Sequence, residues 1–349
     1  MVNVGIVGFG YAGKCFHSYL VNITEGLNLY AIVSSSEEKR KEAENMYGVR
    51  TYEKIDQLLE DDNVSLVILA TPHYTHFPLS IKAIEAGKNV VVDKIMCMNG
   101  KEADEMVKKA RDKNVVLSVF QNRRWDWDFL TVKKIIEEEI IGKVHRIESA
   151  ITTYKKPGGW RGIKEESGGI LFDWGAHLVD QAMIIGNYEI DSVWCEIHDF
   201  GKWSDIDIGN FGKIVMNFKN GLVYEVMISN CLKFEKPRWL IYGDCGTAVK
   251  YGIDPQARAM IKGNIEKADE PVGNFMRIWK ENNGEFELIV MPSVRGSWKS
   301  YYQNISDVLN KGDELAVKAE ECRKCMYVFD AALKSNEKKK VEKVLIPPL

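Results

Sequence analysis

No apolar run in the 349 residues approaches the ~18 needed to cross a bilayer as a helix, which excludes a helical membrane protein. Strong charge of one sign is also missing. The 47 Lys and Arg against 50 Asp and Glu leave a net charge of -3, which argues against a dedicated nucleic-acid or membrane-surface binder. Met1 leads straight into an apolar stretch, so no signal peptide is expected. Cysteine is sparse and unpatterned. Cys15, Cys97, Cys195, Cys231, Cys245, Cys322 and Cys325 are odd in number and scattered, as in a reducing cytosol, and the expected location is cytoplasmic. Cys322 and Cys325 form the single C-x-x-C, but no second pair or nearby His completes a zinc set, so they read as two cysteines of one helix and no metal is expected. There is no internal repeat, and Lys338-Lys339-Lys340 reads as a solvated tail.

What is present is ordinary globular composition: 45% hydrophobic and 28% charged residues, with a length that suggests two domains and a sizeable core. The most informative stretch comes first. Val2, Val4, Ile6 and Val7 form a run too short for a helix and suited to a buried strand. Gly8, Gly10 and Gly13 follow as G-x-G-x-x-G, and a helical segment begins at Ala12. Gly8 permits the tight turn, Gly10 lets the backbone approach a pyrophosphate, and Gly13 lets the helix sit close on the strand. The helix N-terminus then offers N–H groups to phosphates. Plain strand-to-helix turns share this spacing, but its place directly between strand and helix favours a dinucleotide site.

Strands are predicted over 28–33, 64–70, 89–92 and 115–120, with helices between them. Ser35 with Glu38, and Asn99 with Glu102, have capping-box spacing. Five strands alternating with helices predict a parallel, doubly wound sheet, whose ligands lie beyond the carboxyl ends of the strands. Ser34, Thr71, His73, Asp93 and Lys94 sit at those ends, and Gln121 to Asp126 follow the fifth strand. Beyond residue 121 the pattern changes. Strands over 144–154, 192–198, 212–218, 222–229, 238–242 and 247–251 carry little helix between them, which predicts an α+β domain with an open, mostly antiparallel sheet. The expected division is therefore 1–121 and 122–349. Residues 252–296 resist parsing, and helices are expected over 298–309 and 319–334.

In the second part a helix is predicted over 172–185, and positions three and four apart share a face. Asp173, His177 and either Asp180 or Gln181 would then form one polar stripe, in which a carboxylate can fix an imidazole tautomer. A surface helix with incidental polar residues fits the same spacing. Lys94, at a strand end where the nicotinamide of a dinucleotide could lie, is the second catalytic candidate; a snorkelling surface lysine is its plainer reading.

The motifs G-F-G-Y-A-G at 8–13, T-P-H-Y-T-H at 71–76, D-K at 93–94, Q-N-R-R-W-D at 121–126, W-R at 160–161, G-G-I-L-F-D-W-G-A-H at 168–177 and Tyr302 occur in this order. With them the chain resembles the glucose-fructose oxidoreductase, inositol dehydrogenase and MocA-type family, and Q-N-R-R-W-D resembles its NADP-linked scyllo-inositol dehydrogenase branch. The resemblance implies a Rossmann domain followed by an α/β domain whose open sheet pairs subunits, and hydride transfer between NAD(P) and a sugar, cyclitol or related carbonyl compound. Lys94 matches the lysine of the family's Glu-Lys-Pro motif, and Asp173 and His177 match its catalytic pair. One departure stands out: this chain reads Asp93-Lys94-Ile95, and the lost proline removes an easy route to a cis peptide.

Residues and resemblance together imply that His177 is the general base, Lys94 stabilises the alkoxide and Asp173 orients His177. Substrate contacts are expected from Lys94, Arg124, Trp160, Arg161, Asp173, His177 and Tyr302. Cofactor contacts are expected from Gly8, Phe9, Gly10, Tyr11, Ala12, Gly13, Ser34, Ser35, Arg40, Thr71, Pro72, His73, His76, Asp93, Lys94, Asn122 and Arg124. NAD-preferring domains usually end the second strand in Asp or Glu. Here Ser34, Ser35 and Ser36 stand there, and Lys39 or Arg40 could reach a 2′-phosphate, which favours NADP over NAD, although Glu37 and Glu38 oppose it. The alternatives are a same-fold reductase of a dihydrodiol or tetrapyrrole-like carbonyl, and a catalytically silent dinucleotide-binding regulator. A homodimer or dimer of dimers is expected through the open sheet, with Val193, Ile197, Val215, Val223 and Val226 as candidate sheet residues.

Overall fold

The computed structural model describes residues 1–349. Six parallel strands form the first sheet: β1 (Val2–Val7), β2 (Leu27–Val33), β3 (Arg50–Tyr52), β4 (Leu66–Leu69), β5 (Asn89–Val92) and β6 (Leu117–Val119), in the order β3-β2-β1-β4-β5-β6. The central strands are apolar without alternation because helices cover both faces; Leu66–Leu69 is buried at every residue. Strand order reverses between β1 and β4, which opens a crevice at their carboxyl ends. The capping pattern places helix Gly100–Asp112, whose Glu102 N–H bonds the Asn99 side chain at 3.0 Å. Helix Glu37–Tyr47 starts one residue later than Ser35 predicts. Ser36 caps it, because Ser34 Oγ already accepts the Ser36 N–H and lengthens the turn.

The second sheet has nine strands: β7 (Val144–Thr152), β8 (Ile190–His198), β9 (Phe211–Phe218), β10 (Val223–Ser229), β11 (Trp239–Gly243), β12 (Gly246–Lys250), β13 (Met276–Asn282), β14 (Glu285–Met291) and β15 (Glu342–Lys343). Their order is β14-β13-β12-β11-β7-β10-β9-β8-β15, antiparallel except for the pair β7 and β10. β13 and β14 fall in the unparsed stretch; most of β14 is exposed, so no hydrophobic alternation marks it. The lysine run is no free tail. Helix Ala319–Lys338 extends into it, and Lys334, Lys338 and Lys340 surround Glu342.

Helices Gly175–Ile185 and Ala319–Lys338 pack on one face of this sheet. Val193, Ile197 and Val226 belong to that face, each in or against the core. The other face is open: Trp194, Val215, Glu225, Glu148, Leu240, Val249, Arg277 and Val290 pair in register across eight strands. Val223 joins Val215 there through its pairing with Asn217.

Late helices return to the first sheet. Tyr301 donates to Ser118 of β6 at 2.9 Å, and Ser306 donates to the Glu25 carbonyl at 2.7 Å. One core of 80 buried residues thereby runs through both sheets and fixes how the crevice meets the second sheet. No helix is long and apolar enough to cross a membrane. All seven cysteines are free thiols.

Candidate active site

The first cavity, ≈ 450 Å³, runs along the carboxyl ends of β1, β2 and β4. Its floor is the glycine turn. Gly8 has φ +100°, and a Cβ there would lie 2.4 Å from the Ala70 carbonyl; one on Gly13 would lie 2.0 Å from the Gly8 carbonyl. A Cβ on Gly10 would meet nothing within 4 Å, so the backbone there stands open to a ligand. Phe9, Tyr11, Ala12, Thr71 and Pro72 complete this wall. These residues fit a dinucleotide: a bare turn for the pyrophosphate and a slot reaching Ser34 and Ser35 for the ribose. Lys39 lines the slot, whereas Arg40 braces the turn beneath it, donating to the Ser34 and Ser35 carbonyls at 2.7 and 3.1 Å. Glu37 is turned away onto Lys41.

A second, smaller cavity of ≈ 190 Å³ adjoins the first and holds Asp93, Lys94, Asn122, Arg123, Asp173 and His177. The Lys94–Ile95 peptide is cis although no proline is present. Lys94 Nζ bonds Asp173 twice, at Oδ1 and, at 3.0 Å, at the main-chain oxygen. Burial works to raise the Asp173 pKa, but the Lys94 ammonium outweighs it and holds the carboxyl down at about 2.

Asp173 does not touch His177. The helix begins at Gly175, so Asp173 lies in the turn before it and the expected stripe does not form. His177 Nδ1 lies 3.0 Å from Gln121 Oε1, and Gln121 Nε2 donates to the Ala176 carbonyl at 3.2 Å. The amide is thus oriented as an acceptor, which places the proton on Nδ1 and leaves Nε2 with its lone pair. Burial, and then the cations Arg123, Lys94 and Arg238, push the His177 pKa well below its ordinary value. Asp180 and Gln181 do share the His177 face of the helix, but they are bonded by Arg124 and Arg238 and not to the imidazole.

Several sequence-based placements change. Arg124 lies outside the cavities, with Nε and Nη2 on Asp180 at 2.9 and 2.7 Å and Nη1 on Glu321 at 2.8 Å. Its neighbour Arg123 lines the cavity instead: the guanidinium lies 4.4 Å from the Trp174 ring and 5.1 Å from Trp298, Nη1 bonds Asp126 at 2.8 Å, and the buried Nε has no partner. In a 3-10 turn consecutive side chains point about 120° apart, and two adjacent arginines give the sequence no sign of which one faces the cavity. Tyr302 is fully buried behind the site, bonded to His17 Nδ1 at 2.6 Å, and His17 Nε2 lies 3.6 Å from Asp93. His76 is also buried, bridging the Ile95 and Thr71 carbonyls at 2.6 and 2.9 Å. His73 bonds the Ser167 carbonyl at 2.7 Å, and burial followed by Lys94 lowers its pKa to about 3. Trp160 packs on His73, and Arg161 lies 4.4 Å over the Trp160 ring with no hydrogen bond of its own to the protein. Arg161 borders the first two cavities and a third of ≈ 660 Å³ against the second sheet. The buried carboxylates Asp126, Asp128 and Asp254 converge nearby, but Arg123, Arg238, two indole N–H groups and backbone N–H groups already occupy them. Gln121 is the residue the sequence reading missed: it stood in the Q-N-R-R-W-D motif without a role.

Comparison with known proteins places these residues in context. Residues 2–121 match the family model described as the oxidoreductase family, NAD-binding Rossmann fold, and residues 129–249 match the GFO/IDH/MocA C-terminal domain. The chain is 31% identical over 345 residues to the oxidoreductase YdgJ of Escherichia coli, with 96% of each chain covered. It is 28% identical over 353 residues to the scyllo-inositol 2-dehydrogenase (NADP(+)) IolW of Bacillus subtilis, covering 97% of this chain and 95% of that one. A solved oxidoreductase structure from Yersinia pestis superposes with a TM-score of 0.90 at 28% identity, over 99% of this chain and 98% of the other.

Proposed function

The chain belongs to the GFO/IDH/MocA oxidoreductase family, and we propose that it is an NADP-dependent dehydrogenase oxidising a ring CH–OH of a cyclitol or sugar. One observation carries this reading: a lysine ammonium, a carboxylate and a neutral imidazole border one small cavity that opens onto the dinucleotide crevice. The substrate hydroxyl gives its proton to His177 Nε2, which Gln121 keeps free as an acceptor by holding Nδ1–H. Lys94 donates a hydrogen bond to the oxygen as it becomes an alkoxide, and Asp173 aims that ammonium. When bound, the nicotinamide supplies the hydride acceptor. Asn122, Trp160 and Arg161 border the same space and are assigned to holding substrate and nicotinamide.

NADP is favoured over NAD because Ser34 stands where an acidic residue would repel a 2′-phosphate, and Lys39 lines the same slot without an ion-pair partner. Residues 1–121 and 122–349 act in this reading as cofactor and substrate units of a cytoplasmic homodimer joined through the open sheet face. The test is turnover of inositols and aldoses with both cofactors, beside cofactor binding, for wild type, Lys94→Ala and His177→Ala. Loss of rate with retained cofactor affinity supports the assignment. An active wild type whose two variants keep full turnover defeats it, and tight NADPH binding with no turnover of any polyol would mark a silent regulator.

A further inference from the structure

We propose that the third cavity is a subsite for the second ring of a glycoside, so that the substrate is a glycosylated or aryl-substituted ring rather than a free sugar or cyclitol. The inference rests on the dehydrogenase reading above and deepens it. The cavity measures ≈ 660 Å³ and meets the catalytic cavity at Tyr11, Arg161, Asp173 and Trp174. Cavities of about 300–1,000 Å³ house drug-sized ligands, more than one six-membered ring requires. Its floor is apolar: Ile151, Ile170, Ile208 and Ile228 are each at most 7% exposed. Its buried wall is polar and uncharged at Ser229 and Asn230, which are fixed by bonds to the Asn210 and Gly209 carbonyls, while Lys155, Lys156 and Arg161 stand around its mouth. An apolar floor beneath hydroxyl and amide groups suits a ring with C–H or aromatic faces and hydroxylated edges. An anionic substituent fits less well. Lys155 is exposed, and Lys156 is paired with Asp205 at the surface, so no buried cation lines the cavity away from the Arg161 junction.

The test compares kcat/KM for glucose, galactose and myo-inositol with phenyl β-glucoside, phenyl β-galactoside and cellobiose. At least one glycoside is expected to exceed its parent ring by about tenfold or more, the equivalent of about 1.4 kcal/mol. Gly158 lines the cavity, has φ -108°, and a Cβ there would meet nothing within 4 Å, so Gly158→Phe sets a bulky ring at the cavity wall without backbone strain. It should bring the glycoside-to-parent ratio down towards one. Equal rates for parents and glycosides, an unchanged ratio in Gly158→Phe, or preference for a sugar phosphate over every glycoside overturns the subsite while leaving the dehydrogenase reading intact. If no ring is oxidised, that reading fails, and tryptophan fluorescence of the NADP-loaded protein still decides the subsite. Phenyl β-glucoside should then bind at least tenfold tighter than glucose, and lose that margin in Gly158→Phe; equal binding overturns the proposal.

Discussion

Asp173 is bonded to Lys94 through both its side chain and its main-chain oxygen, and His177 takes its orientation from Gln121 instead. The two halves of the proposed catalytic group are therefore held separately, and mutations should separate them too.

His177→Ala should lose about 10²–10⁴-fold in turnover, the usual worth of a general base. Gln121→Leu should lose less, because the imidazole remains but its tautomer is no longer fixed. Steady-state kinetics beside NADPH titration checks both, and a fall in cofactor affinity matching the fall in rate would count against the assignment.

Asp173→Asn should slow the reaction through Lys94 and move the acid limb of the pH profile little, since Asp173 is bonded to Lys94 and His177 to Gln121. Arg123→Gln should move that limb to higher pH, because a cation that disfavours imidazolium is removed. In the wild type the limb for alcohol oxidation should lie below 6.5, the ordinary histidine value, because only the neutral ring accepts the proton. Initial rates followed from the ordinary histidine value of about 6.5 down to the acid limit of the protein's stability give the order of the three limbs.

Acid should unfold the protein early. His73 and His177 are buried and neutral, with pKa values lowered on folding. Their unfolded forms bind protons below about 6.5, so the associated stability is complete above that pH and is lost progressively as pH falls towards the folded values. For His73 that loss extends down to about 3. Denaturant midpoints should decline over this window, and His73→Gln should shallow the decline; an unchanged slope would contradict the linkage.

Cofactor choice should reverse in Ser34→Asp/Lys39→Ala. Charge-assisted hydrogen bonds are worth about 1.5–3 kcal/mol, so NADPH affinity should fall tenfold or more while NADH affinity holds or rises. Fluorescence titration of both reduced cofactors reads this directly.

Val215→Glu places a charge in the middle of the open sheet face, beside Glu225 and Trp194. Light scattering should show a dimer for the wild type and a monomer for the variant, with circular dichroism unchanged. A wild type that is already monomeric at micromolar concentration removes the interface.

The fold was largely legible because its strongest signals are local. Buried parallel strands are short apolar runs, and glycines and caps punctuate them, so β1, β2, β4, β5 and β6 lie where the sequence puts them. β3, β13, β14 and β15 escaped: β3 and β15 are too short to show a pattern, and β14 and the end of β13 are largely exposed. The site was legible as a set of motifs but not as a set of bonds. Helical spacing joined Asp173 to His177 only on the assumption that the helix starts before Asp173, and a start at Gly175 removes that premise. The bond from Gln121 to His177 spans 56 residues, a separation that no local pattern encodes. Arg123 and Arg124 differ only in which way the turn points them, and Tyr302 reaches His17 across 285 residues.

The late helix Lys299–Lys311 has a bearing on synthesis. Tyr301 closes over Phe120 with ring centroids 5.0 Å apart and reaches Ser118, and Ser306 fastens the turn at Glu25. One flank of the first sheet is thus supplied by a helix that comes in the chain only after β14 of the second sheet. The first sheet is synthesised before that helix, so its flank stays apolar and uncovered until residue 311 is free. A nascent fragment stopping at residue 121 would expose that apolar flank and be a client for chaperones.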